Sequence, residues 1–153
     1  LVIGIVFDVE HHEAYYAWKG GGAWCNEERI YVSSRKEISD AVVATGFPYA
    51  EKDVIPQLTS VFEYFLKNGR GIRRLGSAAL DLAYVACGRF DVYYETSLNA
   101  WDIAGGILLV QEAGGIVTDF HGGQSMLKSG DLISANAQVH AAAEQAIRNI
   151  YHT

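Results

Sequence analysis

Cysteine is scarce: Cys25 and Cys87 are the only two in 153 residues. Neither stands at a metal-type spacing, which excludes a zinc site and a disulfide framework and suits a reducing cytoplasm. Cations are outnumbered, 12 Lys and Arg against 18 Asp and Glu for a formal charge of −6. That balance argues against nucleic acid as the main partner, because counterion release needs clustered positive charge. Only Arg70, Arg73 and Arg74 cluster, either as solvated loop and edge charge or as contacts to a substrate phosphate or a second subunit. Long apolar runs are missing as well. The stretch from Ile107 to Val110 is too short to span a bilayer, and Leu1 to Phe7 lacks a basic flank and runs into Asp8, which fits neither a membrane segment nor a signal peptide. There is no repeat, heptad or low-complexity tract, and no Ser-His-Asp or Cys-His arrangement for covalent catalysis. The run Gly20-Gly21-Gly22 has no following Lys-Ser/Thr and reads as a turn. His11, His12 and His121 read as surface residues of polar loops without partners at ligand spacing.

What is present is a hydrophobic content of 50%, enough for the core of a folded domain. Residues 2–7 and 14–19 alternate or are β-branched and predict two strands around a polar hairpin, and a third follows from Glu28 to Ser33. From Ala41 onward strands and helices alternate, the mark of a layered α/β unit. The spacing of Leu58, Val61, Phe62, Phe65 and Leu66 predicts an amphipathic helix from Pro56 to Asn68, closed by Gly69. Further helices are predicted from Ser77 to Ala86, from Asp102 to Ala113 and from Asn136 onward, with strands at 41–45, 71–75, 91–95, 116–120 and 132–135. The segment His121–Gly130 reads as a Gly-rich loop.

Asp102 opens its helix beside Trp101 and ahead of Ile103-Ala104-Gly105-Gly106. An isolated Asp there is an ordinary N-cap. A carboxylate at a helix N-terminus is also a place to hold a hard divalent cation against a phosphate, since the free N–H groups and the helix dipole favour phosphate oxygens. Glu95, seven residues earlier at a strand end, would face the same cleft if strand and helix pack as consecutive elements do. The glycine of Gly76-Ser77-Ala78 permits close backbone approach at a second helix start. Gly46 borders the cleft or forms a turn, and Asp81, among apolar neighbours within a helix, reads as a satisfied structural hydrogen bond.

Two blocks of sequence, Trp101-Asp102-Ile103-Ala104-Gly105-Gly106 with Glu112-Ala113-Gly114-Gly115, and Arg73 through Asp91, resemble the inositol monophosphatase family, closest to its bacterial branch. Ala44-Thr45-Gly46-Phe47-Pro48-Tyr49 and Ile3-Gly4-Ile5-Val6-Phe7-Asp8 extend the resemblance over nearly the whole chain. It implies an α/β layered sugar-phosphatase fold, with residues 1–38 as the last antiparallel strands of an otherwise missing N-terminal domain and 39–153 as a C-terminal mixed-sheet domain. It implies Mg²⁺-dependent hydrolysis of a polyol phosphate monoester in the cytoplasm by a homodimer, with Asp102 as metal ligand and Glu95, Gly76, Ser77, Ala78, Arg73 and Asp102 against the substrate. The family's first signature, Asp-Pro-x-Asp-Gly-Thr, is absent. The remaining ligands are therefore expected from a missing N-terminal half, with the isolated chain inactive. Fructose-1,6-bisphosphate, a nucleotide 3′-phosphate and a noncatalytic binding or oligomerisation role are the alternatives.

Overall fold

A computed structural model describes residues 1–48 and 53–151. The expected α/β layering is found. An antiparallel sheet comes first in the chain: β1 (Ile3–Asp8), β2 (Glu13–Trp18), β3 (Gly22–Cys25) and β4 (Glu28–Ile30), in that spatial order. The turn expected at Gly20-Gly21-Gly22 leads into β3, a strand not among those expected. Its four residues pair with β2 and three of them with β4, Tyr16 opposite Trp24 and Trp24 opposite Arg29.

The second sheet is mixed. It contains β5 (Val42–Thr45), β6 (Gly71–Arg73), β7 (Val92–Glu95), β8 (Gly115–Thr118) and β9 (Leu132–Asn136), in the order β6-β5-β7-β9-β8. β5 runs parallel to β6 and β7, while β9 runs antiparallel to β7 and β8. The buried β7 and β9 read as near-continuous apolar runs because both faces of the sheet are covered.

The described residues also form five α-helices, α1 (Ile55–Asn68), α2 (Ala78–Ala86), α3 (Ala100–Glu112), the single-turn α4 (Met126–Ser129) and α5 (Ala137–Tyr151), and a short 3-10 helix at Ile38–Asp40. α1 buries Leu58, Val61 and Phe65, but Leu66, expected on that face, is 61% exposed. α4 lies inside the segment expected to be a plain loop. α2 and α3 pack between the two sheets, sharing one core in which Tyr15, Leu82, Ile103, Leu109 and Leu132 are fully buried. α1 and α5 cover the opposite face of the mixed sheet around Phe65, Tyr94, Ile133 and Ile147. Each such Leu or Ile removed from water contributes about 1.5–3 kcal/mol.

Small residues let α3 approach both neighbours. A Cβ on Gly4 of β1 would sit 2.4 Å from the Gly105 carbonyl oxygen, and one on Gly106 would sit 2.5 Å from Leu82 of α2. This contact fixes the height of α3, and with it the position of its N-terminus.

Candidate active site

β5 and β7 end side by side, and α2 and α3 begin at the same edge of the mixed sheet, so two strand ends and two helix starts enclose one cleft. It measures about 630 Å³ and is lined by Gly46, Phe47 and Pro48 after β5, by Arg74 and Gly76–Ala79 around the start of α2, and by Glu95–Asn99, Trp101 and Asp102 between β7 and α3. Glu95, Gly76, Ser77, Ala78 and Asp102 are thus brought together as expected. Arg73 is not. Its exposed side chain donates to the neighbouring Ile72 carbonyl oxygen at 2.9 Å, and Arg74 lines the cleft in its place. Of the Ala44–Tyr49 motif, Tyr49 lies outside the described residues.

Asn99, not Asp102, is the N-cap of α3. Asp102 occupies the third helical position of a capping box, where one carboxylate oxygen accepts from the Asn99 backbone N–H at 3.0 Å. That bond holds one oxygen and fixes the side chain against the helix N-terminus. The connecting loop is anchored on its other side, since Thr96 Oγ1 donates to Asp131 at 2.6 Å and the Leu98 N–H donates to the Gly130 carbonyl at 3.0 Å.

Ser77 caps α2, accepting from the Leu80 N–H at 3.5 Å, and Gly76 before it has φ +87°, a conformation that favours glycine. Glu95 accepts from Tyr93 Oη at 2.6 Å. Burial pushes its carboxyl above the usual range, while the Tyr93 hydroxyl and the Arg74 guanidinium oppose the shift. Gly46 makes room for it: a Cβ there would lie 2.0 Å from Glu95 Oε2.

Asp81 departs from expectation. It is 1% exposed in the first turn of α2, yet neither carboxylate oxygen has a hydrogen-bond partner among the described residues. Arg74, one of the three clustered arginines, stacks its guanidinium 6.0 Å from the centre of the Phe47 ring at the cleft mouth.

The donor chemistry suits a hard cation only in part. Asp102 offers a carboxylate oxygen facing the cleft, but among the described residues no group of three or more His, Cys, Asp or Glu is placed to hold a metal ion. One candidate ligand lines the cleft, and a complete metal site is not found among the described residues. The N-terminal ends of α2 and α3 suit an anion, and the Asp102 carboxylate suits a cation.

Among known proteins, the profile of the inositol monophosphatase family matches residues 1–152. An inositol-1-monophosphatase of Mesorhizobium japonicum is 40% identical over 97% of this chain and 56% of its own length. The Nus factor SuhB of Haemophilus influenzae is 44% identical over 90% of the chain and 51% of its own length. The crystal structure of the extragenic suppressor protein suhB from Bartonella henselae superposes with a TM-score of 0.92 at 39% identity, covering 96% of this chain and 56% of that one. The inositol monophosphatase of Anabaena gives a TM-score of 0.92 at 34% identity, over 97% and 61% respectively. The chain therefore spans just over half the length of these relatives, and across that span it belongs to the inositol monophosphatase family.

Proposed function

We propose that these residues form the substrate-facing part of a metal-dependent phosphatase that hydrolyses inositol monophosphate, a phosphate monoester of a polyol, to inositol and phosphate. The observation that carries this reading is the convergence of Glu95, Asp102 and the N-termini of α2 and α3 on one cleft. Unaided hydrolysis of such esters is extremely slow, and a bound cation of the Mg²⁺ class supplies an activated water and charge neutralisation. Asp102 is the residue here that would hold it, with further ligands contributed from outside these 153 residues; the isolated chain is then inactive.

The remaining groups bind and orient. Glu95 accepts hydrogen bonds from two ring hydroxyls at once, and leaving a buried acceptor unpaired costs about 1–3 kcal/mol, so a polyol is preferred to an apolar alcohol. The backbone at Gly76, Ser77 and Ala78 closes on the ring where a Cβ-bearing residue at 76 would be strained. The soluble, dimeric, cytoplasmic setting of a bacterial-type enzyme completes the proposal.

A noncatalytic binding role is the second reading, favoured by the name Nus factor carried by relatives such as that of Haemophilus influenzae. The two separate in one assay. Full-length protein with Mg²⁺ is expected to release phosphate from inositol 1-phosphate faster than from fructose 1,6-bisphosphate or a nucleoside 3′-phosphate, and to stop when the cation is chelated. Equal inertness towards all three esters would overturn the enzymatic reading.

A further inference from the structure

Asp81 and Glu95 are two poorly solvated carboxylates on adjacent elements, α2 and β7, which pack together beneath the cleft. Their surroundings differ. Glu95 reaches the cleft, accepts from Tyr93 Oη and lies within the influence of Arg74. Asp81 is sealed off at 1% exposure with both oxygens unpartnered among the described residues. A buried carboxylate with no donor does not hold a full charge next to a second one; it keeps a proton instead.

We propose that Asp81 is a positioning residue whose protonated form leaves the single negative charge of the pair on Glu95, facing the substrate's hydroxyls. The polyol in this statement rests on the function proposed above; the sharing of one charge does not. As pH rises and Asp81 ionises, a second negative charge appears behind Glu95. The two repel, Glu95 is pushed from the position set by Tyr93, and an anionic ester is bound less well.

The other groups near the pair leave this balance in place. Arg74, just ahead of α2, favours ionisation of both carboxylates, as does the N-terminal end of α2 itself, while Asp102 at the head of α3 opposes ionisation of Glu95. Asp8 of β1 is engaged by Tyr84 Oη at 2.8 Å, three residues further along α2, and Asp131, ahead of β9, accepts from Thr96. Burial, followed by the Glu95 charge, pushes the Asp81 carboxyl up to about 7 from 3.8, which places its ionisation at neutral pH. The folded protein thus binds this proton more tightly than the unfolded chain, and the protonated form prevails below about pH 7.

The test uses full-length protein, its Asp81→Asn variant as an uncharged mimic of the protonated acid, and Glu95→Gln. With ¹³C-labelled aspartate, the Asp81 carboxyl resonance, assigned by its loss in Asp81→Asn, is expected to titrate near neutrality and to move to lower pH in Glu95→Gln. For inositol 1-phosphate, KM of the unsubstituted protein is expected to rise several-fold between pH 7 and 8.5, and KM of Asp81→Asn to stay flat with kcat little changed. A purely structural Asp81 would shift stability but leave the two KM profiles parallel, and parallel profiles would overturn the proposal. Titration in the ordinary carboxylate range, or indifference to Glu95→Gln, would overturn it too. If phosphatase activity is absent but the coupled titration is seen, the functional reading fails while the charge sharing stands.

Discussion

Gly46 limits where Glu95 can stand. The atoms that a Cβ would strike, at 2.0–2.2 Å, belong to the Glu95 carboxylate, the far end of a flexible side chain, and not to backbone. Gly46→Ala should therefore fold normally and displace Glu95 from the Tyr93 hydroxyl. A lost or misdirected hydrogen bond to a charged acceptor is worth about 1.5–3 kcal/mol. KM for inositol 1-phosphate is expected to rise at least about tenfold with a smaller change in kcat, while the thermal midpoint moves little; steady-state kinetics and a melting curve check both. The same scale exposes the limits of reading residues from sequence. Neighbouring residues where a strand ends point to different sides, so the cluster Arg73-Arg74 gave no ground for choosing which guanidinium enters the cleft, and the structure selects Arg74. Helical spacing placed Asp81 among apolar neighbours correctly, but whether its oxygens find donors depends on β7 and the fold around it.

At the scale of elements, the signals written into a few consecutive residues were legible and those needing a long-range partner were not. Ser77 caps α2, Gly88 with φ +75° follows its end, Gly114 with φ +86° follows α3, and Asn136 opens α5, all as turn and capping chemistry requires. The cap of α3 is Asn99 and not Asp102, because the two form a capping box in which the acid stands at the third helical position. β3 was hidden because four residues containing a glycine carry too little pattern, and α4 because a single turn has no period to detect. Asn136 shows how much one cap can hold. Its Oδ1 accepts from the Gln138 and Val139 N–H groups at 2.8 and 3.1 Å, while its Nδ2 donates to Ser33 Oγ at 2.9 Å and to the Arg35 carbonyl at 3.1 Å, tying α5 to the segment that joins the two sheets. Asn136→Ala is expected to cost about 2–4 kcal/mol, the loss of a cap plus unpaired buried partners. Ser77→Ala, whose bond is 3.5 Å long, is expected to cost less than about 1 kcal/mol. Urea unfolding of the two variants checks the ordering.

Across the whole molecule, the layers run from the antiparallel sheet through α2 and α3 to the mixed sheet and then α1 and α5. The inner face of the first sheet is buried against α3, whereas its outer face carries Ile3 and Ile5 at 68% exposure, Phe7 at 54% and Trp18 at 45%. β1 is also an edge strand. An apolar face beside an open edge promotes association. The 153-residue chain is expected to self-associate in sedimentation velocity experiments, and an Ile5→Lys, Phe7→Lys double variant to remain monomeric with an unchanged thermal midpoint, since neither side chain contributes to the core. Equal association of both proteins would show that another surface is responsible. The layered architecture followed from the alternation of strands and helices, but this exposure followed from pairing: Ile3 sits opposite Trp18 and Ile5 opposite Tyr16 on one face, a register that no single strand reveals.

The proposed phosphatase requires Asp102 to meet a cation in the cleft as a carboxylate. The direct measurement is Mn²⁺ binding by water-proton relaxation, alongside turnover of inositol 1-phosphate, in full-length protein and its Asp102→Asn variant. The amide still accepts the Asn99 N–H, so α3 stays capped while the charge is removed. Cation affinity is expected to fall by at least about 10–100-fold, with turnover lost and the fold retained. Unchanged Mn²⁺ affinity and normal turnover in Asp102→Asn would contradict the account.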